Sequence, residues 1–303
     1  MHEFPAPEAR ALLARATPRR IALAEVEIAL LDFGGPGVPA LLHHANGFCK
    51  GCYALLADAL APHVRLLAMD ARGHGDSTHP EAPERYAWRL FAEDLAAVAE
   101  RLARELGMPR LPLAVGHSFG GTSLLGAAKR RPELFERIVL VDPVTPAAGA
   151  ETRTPERRAH VAKMVERATK RRHDWPSRAE ARAFFAEREL FGAWQPAALD
   201  LYVLDGLRAR ADGSVELKCP GAVEAAVFAG GEDVDVAAIA RGVTVPALWL
   251  WAARGSFSRE RYRALAASMR EARVEALDAG HLAPMEHPDR VARAILRFAG
   301  AGL

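Results

Sequence analysis

The residues best suited to chemistry are Gly116-His117-Ser118-Phe119-Gly120-Gly121, which follow a short apolar run at 111–115 and precede a helical pattern at 119–130. A serine flanked by glycines at such a junction is the pattern of a sharp strand-to-helix turn. A Cβ on either side would clash, and the turn holds Ser118 in a strained backbone with its hydroxyl exposed. The helix start adds a second property, because the Phe119 N–H and the positive end of the helix dipole lie where negative charge develops during attack on a carbonyl. The expected chemistry is nucleophilic attack by Ser118. The competing reading of the same residues is an ordinary glycine-rich turn.

Three further segments weigh against that plain reading. Asp70-Ala71-Arg72-Gly73-His74-Gly75-Asp76-Ser77 follows an apolar run at 64–69, Asp278-Ala279-Gly280-His281 follows the last apolar run, and His44-Ala45-Asn46-Gly47-Phe48 follows a run ending at His43. Taken in this order with the serine turn, the chain resembles the α/β-hydrolase fold family, serine esterase type with a helical cap. The resemblance implies that His281 is the catalytic histidine and that the His44 segment supplies the second oxyanion N–H. Ala45 stands where the family usually has glycine, so that donor is Asn46; the extra Gly47-Phe48 leaves the register open. His44 is expected to brace its loop, and His43, His74 and His117 to serve as local hydrogen-bonding residues. Asp70 and Asp76 are expected to organise their own loop with Arg72.

The acid departs from the family's commonest pattern. Members usually carry an aspartate after the strand corresponding to 245–251, but here that loop reads Ala252-Ala253-Arg254-Gly255-Ser256-Phe257-Ser258, without a carboxylate. Some members carry the acid at the end of the preceding strand, which is Asp142 in this chain. An acid there would fix the tautomer of His281 and stabilise the imidazolium formed when Ser118 loses its proton. Asp before Pro143 also reads as a turn opener, and Glu260, Asp233 or no acid at all stand as alternatives. Asp278 is too close in sequence to His281 for an easy approach.

These residues need a scaffold, and alternating strand and helix patterns provide one. Strands are expected at 26–33, 40–43, 64–69, 111–115, 137–141, 245–251 and 274–277, with helices at 53–60, 88–106, 119–130, 259–270 and 288–298 between or after them. Strands apolar on both faces and separated by helices imply a mostly parallel sheet covered on both sides. From 145 the alternation stops: helical patterns broken by Pro155, Pro176, Pro196 and Pro220 run to about 242 without a convincing buried strand. The expectation is an α/β-hydrolase core from 1–144 and 242–303, interrupted by a helical cap at 145–241.

The remaining sequence mainly excludes. Half of the 303 residues are apolar, and 40 Lys plus Arg against 38 Asp plus Glu leave a charge of +2, with no global excess for nucleic acid. The start lacks the apolar stretch of a secretory signal, and the longest apolar run, 245–253, is about half of a membrane span, so a cytoplasmic location and no membrane partner are expected. Cys49 and Cys52 form a C-x-x-C without a second ligand pair, which disfavours a metal or redox site. The segment 151–172 carries eight basic and three acidic residues, read as a solvated helix face or as a cap edge that attracts anions. Phe184, Phe185, Phe191, Trp194 and Tyr202 are read as packed core ahead of an apolar pocket.

The function expected is hydrolysis of a small, apolar carboxylic ester, lactones and thioesters included, without a cofactor. A carbon–carbon bond hydrolase or a cofactor-free perhydrolase would use the same triad, and a non-catalytic small-molecule binder would use the same fold. Dehalogenase and epoxide hydrolase activities are disfavoured because those relatives carry aspartate where Ser118 stands.

Overall fold

The computed structural model describes residues 4–146, 154–231 and 234–300. The chain opens with α1 (Pro7–Arg15), then the antiparallel pair β1 (Thr17–Ala22) and β2 (Glu27–Asp32), and then β3 (Val38–His43). Helix and strand now alternate: α2 (Ala54–Leu60), β4 (Val64–Met69), α3 (Trp88–Glu105), β5 (Leu113–His117), α4 (Phe119–Arg130) and β6 (Ile138–Val141).

Between Val141 and Ala247 the chain leaves this sheet. It passes through α5 (Pro155–Thr169), β7 (Asp174–Trp175), α6 (Arg178–Ala186), α7 (Pro196–Gly206), β8 (Leu207–Ala209), β9 (Val215–Leu217), α8 (Gly221–Ala229) and α9 (Val236–Ala240). It returns in β10 (Ala247–Ala252), α10 (Arg259–Ala267), β11 (Ala272–Leu277), α11 (Ala283–Glu286) and α12 (Pro288–Ala299).

The main sheet has the order β1-β2-β4-β3-β5-β6-β10-β11. From β4 to β11 its neighbours are parallel, and β1 and β2 form the antiparallel margin. Alternate residues of each inner strand point to opposite faces, so strands apolar throughout feed two separate cores. Leu66, Ala68, Val115, Val141 and Leu250 pack on one side with Leu56 of α2 and Ile295 of α12. Leu67, Met69, Ala114, Leu140 and Trp249 pack on the other with Val98 of α3, Leu124 of α4 and Tyr262 of α10.

One expectation fails within 145–241. The segment holds a small antiparallel sheet, β7-β9-β8, where no strand was expected. Its strands are two or three residues long, and charged Arg208 and Glu216 alternate with buried Leu207, Val215 and Leu217. Runs that short carry too little periodicity to read.

Parallel strands deliver their C-terminal ends to one edge, and the register there places the candidate residues. His43 is level with Gly116, His117 with Val141, and Leu250 with Val141. The residues that leave β3, β5, β6 and β10 therefore emerge side by side, at the edge where ligands bind in open parallel sheets.

Candidate active site

Ser118 sits on the turn between β5 and α4 with φ 55° and ψ −120°, a backbone conformation that costs a non-glycine residue of order 1–3 kcal/mol. The flanking glycines make the turn possible. A Cβ on Gly116 would lie 2.4 Å from the Gly120 carbonyl oxygen, and one on Gly120 would lie 2.3 Å from that of His43. The Ser118 N–H donates to the Val141 carbonyl at 2.9 Å, tying the turn to the end of β6.

Asp142, the residue after β6, is buried and also has positive φ, 41°. Its Oδ2 faces His281 Nδ1 at 2.6 Å, and His281 Nε2 lies 2.8 Å from Ser118 Oγ. Its Oδ1 accepts the Ala252 N–H at 3.0 Å and faces the Tyr262 hydroxyl at 3.3 Å, which donates more closely to the Pro143 carbonyl at 2.7 Å. The loop after β10, which carries no acid, contributes clearance as well: a Cβ on Gly255 would lie 2.9 Å from Asp142 Oδ2. The two rival acids are elsewhere, since Glu260 is exposed in the first turn of α10 and Asp233 lies outside the described residues. Asp278 is exposed and pairs with Arg254 and Arg290.

The loop after β3 starts beside the serine turn, where a Cβ on Gly120 would lie 2.6 Å from the His44 carbonyl oxygen. Phe48 N–H donates to the Ala45 carbonyl at 3.2 Å, and Gly47 has φ +79°. Asn46 and Gly47 are thus the corners of a tight turn, with glycine at the corner that requires positive φ. The backbone N–H groups of Asn46 and Phe119 have no protein acceptor among the described residues. The Asn46 side chain is held by its Nδ2 donating to the Glu224 carbonyl at 3.1 Å.

The four nearby histidines are fully buried and locally bonded. His44 Nδ1 donates to the Ala45 carbonyl at 2.7 Å while Nε2 accepts the Ala71 N–H at 2.9 Å, and His74 Nδ1 donates to the Arg72 carbonyl at 3.0 Å. Burial pushes the pKa of His43 down to about 4, those of His74 and His117 to about 3, and that of His44 well below its ordinary value. They are neutral rings in a structural role. Among the described residues no cluster of His, Cys, Asp and Glu is arranged to hold a metal ion.

Other residues depart from expectation. Arg72 does not bind Asp70 or Asp76; it makes a two-point pair with Asp94 of α3 at 2.6 and 2.7 Å. The cations for those aspartates are Lys50, buried in the loop after β3, whose Nζ lies 2.7 Å from both Asp70 and Asp76 and 3.4 Å from Asp205 of α7, and Lys218, whose Nζ lies 2.7 Å from Asp76 and 3.9 Å from Asp205. Glu286 also escaped the sequence reading: it accepts the Gly280 N–H at 2.7 Å and so holds the loop that carries His281. Lys50 and Glu286 each follow a motif within five positions, but neither lies inside one. A lone lysine in an apolar stretch was the one available signal.

In the basic segment 151–172, residues 151–153 lie outside the described structure, Arg171 pairs with Glu224 and the Tyr202 hydroxyl, and Lys170 pairs with Glu166. The aromatic residues pack on one another: Phe185, Phe191, Trp194 and Tyr202 form one buried group, and Phe48 of the loop after β3 joins it through Trp194 and Tyr202. Cys49 and Cys52 are buried free thiols with sulfurs 3.5 Å apart. No helix among the described residues is long and apolar enough to cross a membrane.

With this geometry in view, comparison with known proteins is decisive for the family. The alpha/beta hydrolase family model matches residues 40–294. The chain belongs to the alpha/beta hydrolase family. Among solved structures it is similar to E-2-(acetamidomethylene)succinate hydrolase, with TM-score 0.80 and 22% identity over 94% of this chain and 100% of that one. It is also similar to the thioesterase domain from the curacin biosynthetic pathway, with TM-score 0.76 and 18% identity over 93% of this chain and 99% of that one. Identities that low speak to fold alone. Among characterised sequences it is 38% identical over 118 residues to the sn-1-specific diacylglycerol lipase ABHD11 of Mus musculus, covering 37% of this chain and 35% of that protein. It is 28% identical over 124 residues to the 2-(acetamidomethylene)succinate hydrolase of Mesorhizobium japonicum, covering 41% and 42%. The chain thus aligns with less than half the length of either relative.

Proposed function

We propose that this alpha/beta hydrolase family member is a serine hydrolase of carboxylic esters, lactones and thioesters included. The observation that carries this reading is the unbroken hydrogen-bonded line from Asp142 Oδ2 through His281 to Ser118 Oγ, 2.6 Å at one end and 2.8 Å at the other. A carboxylate can only accept at Nδ1, so His281 carries its proton there and presents a bare Nε2 to the serine hydroxyl. Ser118 attacks the carbonyl as His281 takes its proton, and the Phe119 and Asn46 N–H groups bind the oxyanion. His281 then protonates the departing alcohol or thiol, and water attacks the acyl-enzyme by the same route. The segment 145–241 acts as a cap over this edge and shapes the pocket.

Steady-state hydrolysis of short and medium p-nitrophenyl esters tests the roles. Ser118→Ala and His281→Ala are expected to lower kcat by about 10⁶-fold, and Asp142→Asn by about 10⁴-fold. Wild-type protein that turns over none of these esters would refute the reading. Asp142→Asn with near-wild-type turnover would remove Asp142 from it and leave the other residues.

A further inference from the structure

The histidine inside the serine turn is one of the most deeply buried titratable groups in the molecule, and the mechanism gives it no task. His117 is 0% exposed, as is Tyr53 in the turn that precedes α2. The Tyr53 hydroxyl lies 2.7 Å from His117 Nδ1, His117 Nε2 lies 2.9 Å from the carbonyl oxygen of His281, and the Ala45 N–H reaches the Tyr53 oxygen at 3.0 Å.

One assignment of protons satisfies every member. Burial holds the His117 ring neutral, so it has one donor and one acceptor nitrogen. A carbonyl oxygen only accepts, so Nε2 carries the proton and donates to His281. Nδ1 must then accept, and the Tyr53 O–H points at it. The Tyr53 oxygen keeps a lone pair for the Ala45 N–H. The chain runs in one direction, from Ala45 to Tyr53 to His117 to the His281 backbone.

Its ends are the two parts that must be held against Ser118. Ala45 immediately precedes Asn46, whose N–H is assigned to the oxyanion in the proposed function, and the His281 backbone carries the proposed general base. The middle member is the residue next to the nucleophile in sequence. We propose that Tyr53 and His117 are positioning residues that lock the oxyanion loop and the histidine loop to the serine turn. This rests on the serine hydrolase reading. A misplacement of one of these groups by about 1 Å lowers the rate by up to about 10²-fold without removing any reacting group.

The test compares Tyr53→Phe, His117→Leu and His117→Gln with wild type in p-nitrophenyl butyrate hydrolysis, with rates expressed per folded molecule from thermal unfolding curves. Tyr53→Phe and His117→Leu are expected to lower kcat by about 10- to 100-fold while KM stays within about threefold. His117→Gln keeps a donor for the His281 carbonyl and should recover part of the loss, which a volume effect alone would not give. Rates within about twofold of wild type for Tyr53→Phe and His117→Leu overturn the proposal, as does a loss explained entirely by a smaller folded fraction. A second readout does not depend on catalysis: ¹⁵N NMR of histidine-labelled wild type should show His117 as the Nε2–H tautomer, with its Nδ1 resonance displaced in Tyr53→Phe. An Nδ1–H tautomer breaks the chain and overturns the proposal. If wild type hydrolyses no ester but the tautomer is as stated, the serine hydrolase reading is what has failed.

Discussion

At the scale of single residues, Ser118 and Asp142 are the non-glycine residues with positive φ among those described. Both sit where a strand of the parallel sheet ends, and both are held by a backbone hydrogen bond to a neighbouring strand: Ser118 to Val141, Asp142 to Leu250. Strain of this kind persists only when the surroundings over-determine it. Replacing Ser118 by glycine relieves it, at the smaller cost of glycine's extra freedom in the unfolded chain. Ser118→Gly is therefore expected to be more stable than Ser118→Ala by about 1 kcal/mol in urea unfolding, with both inactive. A glycine variant less stable than the alanine variant would show that the turn is not strained. Ser118 is legible in the sequence because glycines and a strand end mark it locally, and His281 through the resemblance of its loop to the family's histidine loop. Asp142 is legible because 252–258 carries no carboxylate and the family resemblance offers the end of the preceding strand instead. Tyr53 and Glu286 were not legible, because Tyr53 meets a partner 64 positions away and Glu286 binds a backbone N–H, which leaves no mark on residue type.

At the scale of elements, the loop after β3 is held as much by charge as by packing. Burial disfavours the Lys50 ammonium, but Asp70, Asp205 and Asp76 outweigh it and raise its pKa. Lys50 and Lys218 in turn bring Asp76 down to about 2 despite its partial burial. The Lys50 and Gly51 N–H groups donate to Asp70 and Asp205 at 2.8 Å, so the loop, the 70–77 segment and α7 meet at Lys50, with Lys218 also on Asp76 and Asp205. Lys50→Met keeps the stem but takes the cation from buried Asp70, while Lys218 stays on Asp76 and Asp205. It is expected to cost about 3–5 kcal/mol, the penalty for removing one partner of a buried pair. Chemical denaturation measures this directly, and a loss under about 1 kcal/mol would mean that the cluster is solvated and uncoupled. The alternating elements of the main sheet could be read because each is long enough to show its period. The small sheet β7-β9-β8 could not, because two or three residues do not define one.

At the scale of the whole molecule, acid should unfold this protein through its histidines before its carboxylates. Burial depresses the pKa of His43 to about 4, those of His74 and His117 to about 3, and that of His44 in the same direction, from an ordinary 6.5. Between those values and 6.5 the unfolded chain binds protons that the folded chain refuses, so stability is full above about pH 6.5 and falls as the pH drops. Each ring contributes about 1.4 kcal/mol per pH unit in that window, and four together roughly 5 kcal/mol per unit. That slope removes a typical total stability of about 5–15 kcal/mol within about three pH units. Urea midpoints measured from about pH 7.5 down to about pH 4.5 check it, and a flat profile would contradict the assignment of neutral buried rings.

The proposed function requires that Ser118 be a nucleophile activated by His281 and Asp142. A fluorophosphonate, which forms a stable adduct only with an activated serine, tests it most directly when the modified peptide is sequenced by mass spectrometry. One adduct per wild-type chain is expected, on Ser118, with none in Ser118→Ala and much slower labelling in His281→Ala and Asp142→Asn. An unlabelled wild type, or a label on any other residue, would contradict it.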